Sequence, residues 1–128
     1  MMQASSKPTE AELEILNLLW LRGACTVREV HEAIYRRGGG GYTNALKLLQ
    51  IMHAKGLVKR DDSQRAHVYS AVDSKQRTQK RFLSDLVKRL FDGSSSQLVL
   101  QALGGENTSR EELREIRRLI DQIDKDRR

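Results

Sequence analysis

The apolar rhythm of this chain changes abruptly at Gly56. Before it, apolar residues recur every three or four positions; after it, Leu57-Val58-Lys59-Arg60 and Ala66-His67-Val68-Tyr69-Ser70-Ala71 read as two short strands. The polar tip Asp61-Asp62-Ser63-Gln64-Arg65 joins them into a hairpin. A helix that runs directly into a tight hairpin leaves few arrangements for what precedes it.

Three helical segments precede it. Thr9 with Glu12 has the spacing of a capping box, and Leu13, Leu16 and Trp20 then fall on one face up to Gly23. Ile15, Leu18, Leu19 and Leu21 make the rest of this helix unusually apolar, so it is expected to pack on two sides. Thr26 with Glu29 repeats the box ahead of Val27, Val30 and Ile34, and Gly38 to Gly41 is expected to turn the chain. From Thr43 to Lys55 the set Ala45, Leu48, Leu49 and Met52 marks a third buried face, with Gly56 as its stop.

Three short helices followed by a hairpin is the order of a winged helix-turn-helix, in which the helix before the hairpin lies in the major groove of DNA. The expected fold is therefore mostly α with a small β-hairpin. A winged-helix domain covers residues 9–73, and a three-helix dimerisation domain covers 74–128. On the third helix the positions opposite the apolar set are Thr43, Asn44, Leu46, Lys47, Gln50 and Ile51. Asn44 can pair with an adenine edge, Lys47 with guanine or a phosphate, and Thr43 with a thymine methyl. In isolation, Thr43 would read as a plain N-cap, and Asn44 and Lys47 as solvated residues. Tyr42 can bond a phosphate through its hydroxyl or pack its ring in the core.

Charge favours the DNA reading by its position. The chain carries 23 Lys and Arg against 17 Asp and Glu, a net charge of +6. Acids outnumber bases over residues 1–35, whereas residues 36–69 hold Arg36, Arg37, Lys47, Lys55, Lys59, Arg60 and Arg65 against only Asp61 and Asp62. On the wing, Lys59, Arg60 and Arg65 can meet the DNA backbone or a minor groove, although the neighbouring aspartates would repel it. Of these, Arg65 is the wing residue expected to contact DNA.

Other chemistries find no support. His31, His53, His67 and Cys25 show no metal-ligand spacing, and no nucleophile elbow or phosphate-binding glycine loop is present. Neither a metal, a cofactor nor an enzyme activity is expected. The lone Cys25 reads as a small buried side chain. With no apolar run near the roughly 20 residues that span a bilayer, no membrane partner is expected, and a reducing cytoplasm is the expected location.

Beyond Ser74 the character changes. A helix from Lys75 to about Phe91 has a basic first half and an apolar stripe of Phe82, Leu83, Leu86, Val87, Leu90 and Phe91. A short apolar piece runs from Gln97 to Leu103. A last helix opens at Ser109, where Leu113, Ile116, Ile120 and Ile123 follow the a/d rhythm of helices that pack on other helices, and Leu119 widens the seam. So short a segment cannot cover these faces itself, and a second copy would. Phe82, Leu86, Leu90, Leu98, Leu113, Ile116, Ile120 and Ile123 are therefore the expected dimerisation residues. A helical adaptor that docks the same faces on a different protein is the alternative.

Several blocks together resemble the penicillinase repressor (BlaI/MecI/CopY) family. They are Thr9-x-x-Glu12 with Glu14-Ile15-Leu16 and Leu19-Trp20, Gly41-Tyr42-Thr43 before Leu48-Leu49, Lys55-Gly56-Leu57-Val58, Arg65 to Tyr69, and Gln97-Leu98-Val99-Leu100. The resemblance implies a homodimeric winged-helix repressor that binds a palindromic operator on double-stranded DNA. In β-lactamase repressors of that family, a membrane sensor protease cuts an Asn-Phe bond in the short helix. The pair here looks like Gln101-Ala102, so the resemblance does not carry that protease partner over. Copper-responsive relatives carry a C-terminal cysteine cluster, whereas this chain has no cysteine beyond Cys25.

Overall fold

Thr9 and Glu12 open the first helix as their spacing requires. In a computed structural model of the protein, which describes residues 7–35 and 41–128, the Glu12 N–H donates to Thr9 Oγ1 at 3.2 Å and the Thr9 N–H donates to Glu12 Oε1 at 2.9 Å. A reciprocal cap of this kind stabilises a helix start by about 1 kcal/mol. Helix α1 (Glu10–Arg22) buries Ile15, Leu16 and Leu19, with Leu18 and Trp20 packed beside them. Trp20 also donates its indole N–H to the Asp73 carbonyl at 3.0 Å. Leu21, counted above in the apolar surround of α1, instead points into solvent and is 85% exposed.

A strand that the sequence reading lacked follows: β1 (Cys25–Thr26) pairs antiparallel with a later strand, Cys25 opposite Tyr69 and Thr26 opposite Val68. The expected hairpin is thus part of a three-stranded sheet of order β1-β3-β2. Two residues are too short a run to leave a periodic signal. The Thr26–Glu29 capping box forms and starts α2 (Val27–Val30), which continues as a π-helical turn over His31–Tyr35. The expected glycine turn, apart from Gly41, lies outside the described residues, as do Arg36 and Arg37.

Helix α3 (Tyr42–Lys55) starts from Gly41 as N-cap, which displaces the reading of Thr43 as a cap. Its far end closes through Gly56 at φ +82°, where the Gly56 N–H donates to the His53 carbonyl and the Leu57 N–H to the Met52 carbonyl. This left-handed cap favours glycine at 56 and aims the chain into β2 (Val58–Asp61). Strand β3 (Val68–Ala71) returns with Arg60 opposite Tyr69. The core joins Ile15, Leu16 and Leu19 to Cys25, Val27, Val30, Ala45, Leu49, Met52, Val58 and Tyr69.

By their contacts, residues Met1–Phe82 and Leu83–Arg128 form two units. The division falls inside α4 (Lys75–Leu90), past the change of sequence character at Ser74. Its first turns are fastened to the first unit: Thr78 is buried, Arg81 pairs with Asp73 at 3.1 Å, and Phe82 lines a water-sized cavity of about 20 Å³ with Leu16 and Leu57.

The second unit holds the rest of α4, then α5 (Ser95–Leu103) capped by Ser94, and α6 (Arg110–Asp126) capped by Ser109. Between α4 and α5 the turn passes through Asp92 at φ +49° and Gly93 at φ +83°. Among its described residues none is buried.

Candidate nucleic-acid interface

The outward side of α3 is set by what its other side buries. Ala45, Leu49 and Met52 are fully enclosed, so Thr43, Lys47, Gln50 and Ala54, which recur at helical spacing, run along the exposed midline. Asn44 and Ile51 lie on one flank of that line, and Tyr42 and Leu46 on the other. All of these are exposed except Leu46, which is half-buried. Gly41 caps without a side-chain bond, so the first turn presents backbone N–H groups and the positive end of the helix dipole.

On the flank of Tyr42 and Leu46 opens a groove of about 480 Å³, lined also by Thr26, Val27, Arg28, Arg65, Ala66, His67 and Tyr69. Its lining carries Arg28 and Arg65 and no carboxylate. Tyr42 is 48% exposed, with its ring edge-on to His31 at 6.2 Å between centroids, so it is not a core residue. Arg28, Thr26 and His67 had not been expected as DNA contacts from the sequence. Three separate segments form this groove, and only the Thr26–Glu29 box hinted that Arg28 would stand in an exposed first turn.

The wing's acids are engaged locally. Asp62 Oδ1 lies 2.8 Å from Arg60 Nε and 3.6 Å from His67 Nε2. Asp61 accepts the Ser63 N–H at 2.9 Å, which holds its carboxyl below the usual range. Arg60 is occupied in turn by Tyr69 and Asp62, which raise its already high pKa, whereas Lys59 and Arg65 are exposed. Among the wing cations named from sequence, Arg65 is the one the structure sets beside α3.

The predicted dimerisation residues divide. Leu113, Ile116, Ile120 and Ile123 form a continuous stripe on α6, with Ile120 52% and Ile123 54% exposed. Leu86 and Leu90 are exposed on α4, and Leu98 is half-buried on α5. Phe82 stands apart, packed in the first unit beneath Lys7, whose ammonium lies 6.0 Å from the ring centre.

Among the described residues nothing suggests group-transfer chemistry. Cys25 is buried, and burial reinforced by Glu29 pushes its thiol pKa up, away from a nucleophilic thiolate. Among the described residues no three His, Cys, Asp or Glu side chains gather as a metal site, and no helix is long and apolar enough to cross a membrane.

Residues 8–122, which include the α3 face, the wing and the first three turns of α6, match the sequence pattern of the Penicillinase repressor family. The chain belongs to the penicillinase repressor family. Among its relatives in that family, methicillin resistance regulatory protein MecI of Staphylococcus aureus strain N315 is 25% identical over 116 residues, covering 88% of this chain and 91% of the relative. Transcriptional regulator BlaI of Mycobacterium tuberculosis strain H37Rv is 32% identical over 92 residues, 71% of this chain and 67% of the relative. A penicillinase repressor of Staphylococcus aureus is 25% identical over 119 residues, 90% and 91% of the two chains. Penicillinase repressors are DNA-binding regulators of transcription and not enzymes, and this chain takes a repressor's role.

Proposed function

We propose that this repressor acts as a homodimer on a palindromic operator and blocks transcription by occupancy. The observation that carries this reading is the second unit's lack of any buried residue among those described, while the α6 stripe leaves Leu113, Ile120 and Ile123 exposed and Ile116 half-buried. Domains this small need a partner's surface to build a core. The polar side of α6 alternates Arg110, Arg114, Arg117 and Arg118 with Glu111, Glu112, Glu115 and Asp121, which suits a helical partner better than an anionic lipid surface.

Each copy then offers one α3 to the major groove. Thr43, Asn44, Lys47 and Gln50 read base edges, Leu46 and Tyr42 border the strand, and Arg28 and Arg65 hold a phosphate in the adjacent groove. Two copies place their α3 helices about 34 Å apart on one face of the duplex, so the operator repeats with inverted symmetry.

Variants test the assignment directly. Asn44→Ala and Lys47→Ala should each weaken specific binding by roughly 1–3 kcal/mol, while Arg65→Ala should weaken all duplexes alike and lower the salt slope by about one. Mobility shifts over a salt series on a duplex selected from random sequence provide the readout. Wild-type affinity in all three would remove α3 and the wing from the interface.

A further inference from the structure

The first unit carries two charged helix faces that base reading leaves idle. On α1, Glu10, Glu14, Asn17 and Leu21 recur at helical spacing and all are exposed, Leu21 at 85%. The opposite side of α1 places Ile15, Leu16 and Leu19 in the core that Ala45, Leu49 and Met52 of α3 share. This acidic face therefore lies across the core from the outward side of α3, where it does not oppose a duplex bound there. On α4, Arg77 and Lys80 are exposed on the side away from Thr78 and Phe82, which meet Leu16 and Leu57. Val72, just ahead of α4, is 50% exposed. None of Glu10, Glu14, Arg77 and Lys80 forms an ion pair among the described residues.

Each chain thus displays two carboxylates beside an exposed leucine, and two cations beside an exposed valine. A duplex or an anionic membrane would suit the basic face and be repelled by the acidic one. A second copy of this chain carries both signs on matching helices and suits both. We infer that repressor dimers on neighbouring operators dock on one another through these faces, Glu10 and Glu14 of one dimer against Arg77 and Lys80 of the next. The inference rests on the dimeric, operator-bound reading above. Exposed ion pairs contribute little singly, so the contact does not hold dimers together in free solution. DNA that presents two dimers side by side supplies the effective concentration it needs.

Mobility shifts with the full chain test this on duplexes that carry one or two copies of a selected operator, their spacing varied in single base-pair steps. At the best spacing, the second dimer should bind roughly 5- to 50-fold more tightly than a dimer on a single operator, a span usual for coupled sites. The gain should recur about every ten base pairs, as the two dimers return to one face of the duplex. Glu10→Lys with Glu14→Lys, or Arg77→Glu with Lys80→Glu, should remove it. All four changes in one chain keep the net charge, exchange the two signs and should restore it. Comparing paired with single operators for the same protein cancels any general effect of charge on DNA affinity.

A wild-type protein that gains nothing at any spacing, reversals that leave the gain intact, or a four-fold exchange that does not restore it would overturn the inference while leaving the dimer on its operator. Failure to bind the single operator would overturn both.

Discussion

Ile120→Asp is expected to leave the repressor monomeric in sedimentation and to lower its operator affinity by roughly 10²- to 10⁴-fold, the span that linking two binding modules commonly contributes. Ile120 sits mid-way along the α6 stripe and is half exposed in the single chain, so the substitution should be tolerated by the monomer. In the proposed dimer the same position faces a partner, and an unpaired carboxylate there loses its hydration without compensation. Lys125→Asp, off the stripe on the same helix, is the control and should stay dimeric. Ile120→Asp that sediments as a dimer and binds operator normally would remove α6 from the interface and favour a different partner for its apolar face.

The second large effect concerns a buried charge. Glu12 is 1% exposed, and its carboxylate accepts Lys55 Nζ at 2.9 and 3.0 Å while also accepting the Thr9 N–H. It joins the start of α1 to the end of α3. Burial pushes the Glu12 carboxyl up from its ordinary 4.5, but the Thr9 N–H and the Lys55 ammonium more than offset this, so its folded pKa is lowered. The ionised group therefore adds stability above about pH 4.5, and that contribution is lost as the pH falls through the lower folded value.

Lys55→Met should cost about 3 kcal/mol near neutral pH, because it leaves a buried carboxylate without its counter-ion. Glu12→Gln should cost about 1 kcal/mol, since glutamine keeps the cap and the partly exposed Lys55 can turn to water. In Lys55→Met the carboxyl titrates at higher pH than in wild type, so the gap between the two proteins should narrow on acidification. Urea unfolding across a pH series checks this. A small, pH-independent loss would show that the pair contributes little.

These two cases mark what local sequence can reveal. Glu12 was legible as a capping residue because its partner is three positions away; Lys55 is 43 positions away, and no periodicity announces that pairing. The end of α3 and most of its buried face followed from Ala45, Leu49, Met52 and Gly56, since amphipathic spacing and a left-handed stop are both local, whereas the helix starts at Tyr42 and not Thr43, and Leu48 is only half-buried. Strand β1 did not, because Cys25 and Thr26 become a strand only when β3 lies alongside. Phe82, Leu86 and Leu90 read as one stripe, yet Phe82 is drawn to Leu16 and Leu57, residues distant in sequence. The groove beside α3 was hidden for the same reason: Arg28, Leu46 and Arg65 come from three segments.

Paired α3 helices on one face of a duplex make a demand on DNA geometry that a spacing series can test. With a selected operator, insertion of about five base pairs between its halves turns the second half-site to the opposite face. Binding should then fall to that of an isolated half-site, and about ten base pairs should restore part of it if the C-terminal units can follow the added length. Affinity that ignores the inserted half-turn would contradict a dimer reading two halves of one operator.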